Sequence, residues 1–173
     1  MISSDFIGDI NRWNLITPTF YLNDIDNQKL SKELLSTAKR KSNDAGSTWY
    51  EDFVSDINEC PNALKLLDTV QHVVDNYYGN MKIVEWWSHI HQQNESSNQH
   101  NHYPAPISWV YWAKIPKDSG KFVFILNDYA SATSGIDPIE GVLMFFPGWV
   151  MHKVTRNLSS DTRISISGNL AHD

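Results

Sequence analysis

The sequence predicts an α+β domain that is mainly β, with strands packed as a sandwich, barrel or jelly roll and covered by two helices. The apolar residues repeat at a spacing near 3.6 as far as about residue 80, and at a spacing of 2 from Met81 onwards. The length of 173 residues fits one domain. We therefore expect a single domain over 1–173, with a helical part at about 1–80 and a jelly-roll part at about 81–173.

Two helices are predicted in the N-terminal part. The first follows the N-cap candidates at residues 24–27, and Leu30 and Leu34 lie on its apolar face. The second begins near Pro61, because proline is tolerated in the first turn of a helix. It ends at Gly79, which is suited to the left-handed conformation that follows many helices.

Six strands are predicted in the C-terminal part, from alternating apolar residues bounded by turn residues. They are Lys82–His91, Ser108–Ile115, Lys121–Leu126, Gly141–Phe146, Val150–Val154 and Arg163–Gly168. The polar segment 127–138 is predicted to be a loop between two of them.

Composition excludes several classes of protein. The chain has 14 Lys and Arg against 20 Asp and Glu, a net charge of −6, which argues against electrostatic binding to nucleic acid or an anionic membrane. It lacks an apolar run long enough to span a membrane and a leader-like N-terminus. Cys60 is the single cysteine, so a disulfide framework and a thiolate-rich metal site are excluded. We expect a cytoplasmic protein.

The histidines form two pairs with one residue between the partners. Residues two apart in an extended chain point to the same side, so each pair can direct two imidazoles at one iron, zinc or copper ion. His100 and His102 form one pair, and His152 follows on a later strand. His89 and His91 form the other pair.

The pair at His89 and His91 has two interpretations. It shares its side of the strand with Glu85 and Trp87, an arrangement that predicts a rival metal site. Alternatively, these histidines are structural and hydrogen-bonded.

Arg163 lies among apolar strand residues. It alternates with Ile164, and Ser165 shares its side of the strand. A buried arginine is costly unless it meets an anion, and a guanidinium binds a carboxylate through two hydrogen bonds. Together with the histidines, Arg163 predicts a metal site that also holds a small dicarboxylate.

An ordered set of motifs resembles the Fe(II)/2-oxoglutarate-dependent oxygenases. The similarity is strongest to a small branch of phage and marine bacterial sequences with an H-x-H…H…R pattern. It spans about His100–Leu170 and rests on His100-x-His102, Ser108-Trp-Val-Tyr111, Phe146-Pro-Gly-Trp149, His152, Asn157 and Arg163-Ile-Ser-Ile-Ser-Gly-Asn169.

The resemblance implies a double-stranded β-helix with Fe(II) and 2-oxoglutarate as cofactors. It implies that His100 and His152 bind iron, and that Arg163 holds the distal carboxylate of 2-oxoglutarate with Ser165 and Tyr111. The implied reaction uses dioxygen to hydroxylate a small-molecule, amino-acid or peptide substrate, with release of succinate and CO2. For a phage-encoded enzyme, it would proceed in the host cytoplasm.

The sequence departs from the superfamily at the third metal ligand, where His102 replaces the usual Asp or Glu. Three interpretations are open: a three-histidine site, a site in which water is the third ligand, or a carboxylate such as Asp128 or Glu140 from elsewhere. We predict His102 as the ligand. A neutral imidazole leaves one more positive charge on the site than a carboxylate.

Two further departures are Tyr103-Pro104, where the branch has Pro-Gly, and Trp109, where it has glycine. The Trp109 position bears on the pocket. Its indole either faces the metal and narrows the substrate pocket, or packs beneath a helix. Asn127 and Asp128 are further candidates for the substrate pocket, with solvation of a loop as the alternative.

Two other functions remain open. The large Trp109 and the missing acidic ligand favour an inactive jelly-roll protein with a binding or structural role. A cupin-type dioxygenase with three histidines and no 2-oxoglutarate is the other alternative.

Overall fold

A computed structural model describes residues 4–9, 15, 17–37, 41–42, 48–50, 60–126 and 133–172. These residues form two helices, α1 (Asn27–Thr37) and α2 (Pro61–Tyr77). They also form twelve strands: β1 (Ser4–Asp9), β2 (Pro18–Leu22), β3 (Lys41–Ser42), β4 (Thr48–Tyr50), β5 (Met81–His91), β6 (Ser97–His100), β7 (Ile107–Lys114), β8 (Phe122–Ile125), β9 (Thr133–Ile136), β10 (Val142–Pro147), β11 (His152–Val154) and β12 (Arg163–His172).

Both predicted helices are present, with the expected ends. Asp26 caps α1, since its Oδ1 accepts a hydrogen bond from the backbone N of Lys29 at 3.1 Å. Pro61 is the first residue of α2, and Gly79, two residues after its end, has φ +69°. The carboxylate of Glu33 on α1 accepts from backbone N–H groups in the first turn of α2. Neither helix is long and apolar enough to cross a membrane.

The strands form two antiparallel sheets. The larger has the order β1-β2-β10-β7-β12-β5-β4-β3 and the smaller β6-β11-β8-β9. One core cluster joins the helices to one side of the larger sheet, and a second joins its other side to the smaller sheet. The predicted jelly-roll sandwich with flanking helices is therefore confirmed.

Alternation along β7 separates these two cores. Trp109 and Tyr111 belong to the core beneath the helices, whereas Val110 and Trp112 belong to the core between the sheets. This separation decides which residues reach the functional site.

The N-terminal part was predicted to be helical, but it also contains four strands among the described residues. Strands β1 and β2 extend one edge of the larger sheet, and β3 and β4 extend the other. Four of the five residues of β2 are buried, and two of them, Phe20 and Leu22, belong to the core beneath the helices. Strands β6 and β9 were also not predicted.

Candidate metal centre

Three histidines meet at one end of the smaller sheet. His100 ends β6, His152 begins β11, and the two residues are paired across the ladder. His102 follows in the loop after β6. One potential ligand atom from each ring lies within 4.8 Å of those of the other two. The structure thus brings together all three metal ligands predicted from the sequence.

Backbone carbonyls determine which ring nitrogens are available to a metal. The Nδ1 atoms of His100 and His152 lie 2.7 and 2.9 Å from the carbonyl oxygens of Asn98 and Val150. A carbonyl oxygen only accepts hydrogen bonds, so each Nδ1 carries the ring hydrogen. The lone pair of Nε2 is then available, as in many metal-binding histidines.

Burial keeps these imidazoles neutral. It lowers the pKa of His100, and it lowers the pKa of His102 to about 4, with a further contribution from His100. Burial and His100 lower the pKa of His152 to about 3. All three rings are neutral at pH 7, which is the form that binds a metal.

The loop that carries His102 is attached to the turn that precedes His152. The backbone N of His102 donates to the oxygen of Gly148 at 2.7 Å, and the N of Gly148 donates to the oxygen of Pro106 at 3.1 Å. A Cβ on Gly148 would lie 2.1 Å from the oxygen of Ala105. This close approach requires glycine and fixes two of the ligand-bearing segments against each other.

Arg163 lies in the same cavity, on the larger sheet. Its side chain is 1% exposed, and Nη1 donates to the oxygen of Ser119 at 3.1 Å. Among the described residues, Arg163 forms no ion pair and its buried Nε has no hydrogen-bond acceptor. Burial lowers its pKa to about 10, so the guanidinium remains charged at neutral pH. A buried cation with so few partners is suited to an anionic ligand.

Ser165 lies two residues after Arg163, on the same side of β12. Polar side chains flank it on both neighbouring strands. His89 of β5 and Trp112 of β7 are its partners across the two ladders, and all three side chains line the cavity. The buried Nε1 of Trp112 has no hydrogen-bond acceptor within the described part of the chain. Trp112 is a functional candidate that the sequence analysis missed.

Tyr111 was predicted to assist Arg163, and its position contradicts this prediction. It lies on the other side of the larger sheet, where its hydroxyl donates to Oδ1 of Asn27 at 2.6 Å. Burial raises the pKa of the Tyr111 hydroxyl. The alternation of β7 places Trp112, not Tyr111, in the cavity.

Trp109 packs beneath the helices and does not line the cavity. It therefore does not narrow a substrate channel.

Asn127 and Asp128 lie outside the described residues. Glu140 is exposed, its Oε2 accepts from the backbone N of Ile115, and it does not belong to the histidine cluster.

Among the described residues, the possible metal-ligand cluster consists of His100, His102 and His152, and it does not include His89 and His91 of the predicted rival site. The Nε2 of His89 accepts a hydrogen bond from Nε1 of Trp87 at 2.7 Å, and the Nε2 of His91 lies 3.0 Å from Oγ of Ser97. Glu85 accepts from the side-chain amide of Asn169. His89 shares its side of the strand with Trp87 and His91, as predicted, because its ring is stacked on His91 and accepts from Trp87. His89 also lines the cavity of the three-histidine site.

The open volume between these side chains is small, about 20 Å³, which is room for about one water molecule. Phe122, Phe146 and Val154 supply its apolar wall. A surface groove of about 610 Å³ lies elsewhere, around Lys117 and Arg156, and contains none of the predicted site residues.

Sequence comparison matches residues 126–169 to the family described as "Putative 2OG-Fe(II) oxygenase". This segment includes His152 and Arg163. The resemblance to the Fe(II)/2-oxoglutarate oxygenases is confirmed. No curated protein sequence matches the chain.

Solved structures of these oxygenases share the fold. A Pseudomonas putida prolyl-4-hydroxylase matches with a TM-score of 0.64 and 14% identity over 91% of this chain and 92% of its own. A Trichoplax adhaerens prolyl hydroxylase, in complex with a hypoxia inducible factor peptide fragment, matches with a TM-score of 0.65 and 15% identity over 89% and 82%. HygX from Streptomyces hygroscopicus, with nickel, 2-oxoglutarate and hygromycin B bound, gives 0.69 and 10% over 90% and 82%. The predicted double-stranded β-helix is confirmed.

Proposed function

We propose that the protein is an Fe(II)- and 2-oxoglutarate-dependent dioxygenase that hydroxylates its substrate and releases succinate and CO2. The observation that carries this proposal is the presence, in one cavity, of a neutral three-histidine cluster and a buried guanidinium that has no counterion among the described residues. The first suits a divalent metal and the second suits a carboxylate.

In this proposal His100, His102 and His152 bind the iron. Their nitrogens are neutral, and the orientation of His100 and His152 is set by backbone carbonyls. Three imidazoles leave the full charge of the metal uncompensated, unlike a set that includes a carboxylate. The site therefore favours anionic ligands in its remaining coordination positions.

Arg163 binds the distal carboxylate of 2-oxoglutarate, with Ser165 and Trp112 as further hydrogen-bond donors. The buried N–H groups of Arg163 and Trp112 have no acceptor in the described part of the chain, which supports this role, because a buried donor without an acceptor costs about 1–3 kcal/mol. A carboxylate oxygen would remove that cost. Trp112 takes the role that the sequence analysis gave to Tyr111.

With dioxygen as the oxidant, the bound iron and keto acid would together supply the chemistry: oxidative decarboxylation of 2-oxoglutarate to succinate and CO2, which takes one oxygen atom, coupled to insertion of the other oxygen atom into a C–H bond of the substrate. The chain's own residues hold the metal, anchor the acid and exclude water with an apolar wall of Phe122, Phe146 and Val154. We propose a small-molecule, amino-acid or peptide substrate and a cytoplasmic location.

Anaerobic titration tests this function. Addition of Fe(II) and then 2-oxoglutarate should produce the weak visible charge-transfer band of the chelate. Arg163→Lys should weaken 2-oxoglutarate binding about tenfold or more, since a single ammonium replaces a planar group with several donors. His72→Ala, an exposed position on α2, is the control and should leave the titration unchanged. Absence of the band in the iron-loaded protein would contradict the proposal.

The narrow cavity favours a second candidate, an inactive jelly-roll module. With about 20 Å³ open, a keto acid enters only after side chains between the sheets have moved. Metal binding without any binding of 2-oxoglutarate would support this candidate. If oxygen consumption required the metal but did not respond to 2-oxoglutarate or to Arg163→Lys, a three-histidine dioxygenase would be supported instead.

A further inference from the structure

His89 occupies a central position in the cavity. It is 7% exposed and lies opposite Ser165, in a row of side chains across the larger sheet. Two residues earlier on β12 lies Arg163, and two residues later lies Ser167, which is paired with Trp87 of β5. The ring of Trp87 lies 5.2 Å from that of His102. The pair formed by His89 and Ser165 thus lies between Arg163 and Trp87, the residue whose ring is close to the candidate metal centre.

The orientation of the His89 imidazole is fixed on two sides. Nε1 of Trp87 lies 2.7 Å from its Nε2, and an indole N–H only donates. Nε2 of His89 is therefore the acceptor, and Nδ1 carries the ring hydrogen. The ring is also stacked on His91, with centroids 5.8 Å apart and an angle of 7° between the planes. Trp87 and His91 together hold the ring as a neutral donor.

Several hydrogen-bond donors share the cavity with His89. Arg163, Ser165 and Trp112 all present N–H or O–H groups to the cavity, and no carboxylate lines its described part. Such surroundings suit the oxygens of a dicarboxylate.

We propose that Nδ1–H of His89 donates a hydrogen bond to a carboxylate oxygen of the bound keto acid, and that Trp87 is the positioning residue that selects this form of the ring. The inference rests on the proposed function, because it concerns the same acid. It adds to the acid-binding set a residue that neither the motif nor the family match assigns.

Four variants separate this role from a purely structural one. His89→Leu removes the donor, whereas His89→Asn keeps an N–H group near the position of Nδ1. Trp87→Phe removes the indole donor and keeps an aromatic ring. Trp86→Phe is the matched control, because Trp86 packs against the core beneath the helices.

The measurement is the Kd for 2-oxoglutarate of the zinc-loaded protein, by calorimetry in buffers that contain no iron. We expect His89→Leu to weaken binding about tenfold or more, the effect of losing a hydrogen bond to a charged group. His89→Asn should restore most of this affinity, and Trp87→Phe should weaken binding less than His89→Leu. Trp86→Phe should match the unmodified protein, and the Kd for zinc should not change in any variant.

The outcomes distinguish the two proposals. If Arg163→Lys weakens 2-oxoglutarate binding but His89→Leu does not, the role of His89 is overturned and the proposed function stands. If the unmodified zinc-loaded protein does not bind 2-oxoglutarate, both are overturned. A lower melting temperature for His89→Leu with an unchanged Kd would show a structural role only, and would also overturn the inference.

A second measurement is independent of whether His89→Leu folds. Nitrogen-15 NMR of the unmodified zinc-loaded protein should show hydrogen on Nδ1 of His89, with a shift of this resonance on addition of 2-oxoglutarate. Hydrogen on Nε2, or a resonance that does not respond to the acid, would contradict the proposal.

Discussion

Gly168 lies directly opposite Trp109 across the ladder between β7 and β12. Because Gly168 has no side chain, the indole of Trp109 can occupy the space beside it. A Cβ on Gly168 would lie 2.7 Å from both Cε2 and Cζ2 of the indole, and 2.5 Å from the oxygen of Glu85. The large residue at position 109, which departs from the oxygenase branch, is thus accommodated by the glycine on the neighbouring strand.

Gly168→Ala should therefore destabilise the protein. The added methyl group overpacks the contact with Trp109 and with the backbone of Glu85, and such overpacking costs about 1–3 kcal/mol. Urea unfolding measures the change in the free energy of unfolding. Gly135→Ala is the control, since its Cβ would meet the flexible side chain of Lys121 at 3.3 Å and Val123 at an ordinary contact distance of 3.9 Å. Equal stability of the two variants would contradict the prediction.

His102→Ala should lower metal affinity as strongly as His100→Ala. Loss of a group that only supports a ligand costs about 10–100-fold in metal affinity, so loss of a ligand should cost at least about 100-fold. Competition with a chelator for zinc or Fe(II) measures this effect, with the exposed His72→Ala as control. A small effect of His102→Ala beside a large effect of His100→Ala would indicate that water is the third ligand.

Gly148→Ala should weaken metal binding without altering any ligand. The added Cβ would lie 2.1 Å from the oxygen of Ala105, so the two segments that carry His102 and His152 must separate. We expect a loss of about 1–3 kcal/mol in unfolding free energy together with lower zinc affinity. Retention of the zinc Kd of the unmodified protein would show that these segments do not position the ligands.

The stability of the metal-free protein should fall in mild acid. Burial, with a contribution from Arg163, lowers the pKa of His91 from about 6.5 to about 3. Between these pH values the unfolded chain binds more protons than the folded chain, so the free energy of unfolding decreases as the pH falls. For His91 alone the loss between pH 7 and pH 5 is about 2 kcal/mol.

Comparison with His91→Gln isolates this contribution. The amide retains a polar partner for Ser97 but does not titrate, so the variant should lose about 2 kcal/mol less than the unmodified protein over the same interval. Urea unfolding in the presence of a chelator, at pH 7 and pH 5, measures both values. Parallel losses in the two proteins would refute the assignment to His91.

Regular alternation made most of the C-terminal strands predictable, whereas two strands were missed. Strand β6 consists of Ser97–His100, four polar residues without alternation, and it forms by pairing with β11. Strand β9 contains Gly135 and follows a polar segment, so its sequence predicted a loop. In both cases the partner strand, rather than local preference, determines the structure.

The three histidines, Arg163 and Ser165 of the candidate site were predicted from the sequence, but Trp112 and His89 were not predicted as acid-binding residues. His152 and Arg163 carry chemistry that few other residues supply. The choice between Tyr111 and Trp112 instead requires knowing which side of β7 meets the smaller sheet, and this depends on register between distant strands. The role of His89 depends in the same way on its pairing with Ser165.

The proposed metal ligands and the proposed acid-binding residues belong to different layers of the sandwich. His100 and His152 lie in the smaller sheet, while Arg163 and Ser165 lie in the larger. A dicarboxylate that chelates the metal and contacts the guanidinium would therefore bridge the two sheets. Resistance of the holoprotein to proteolysis would then depend on the length of the diacid supplied, since one too short cannot reach both attachment points.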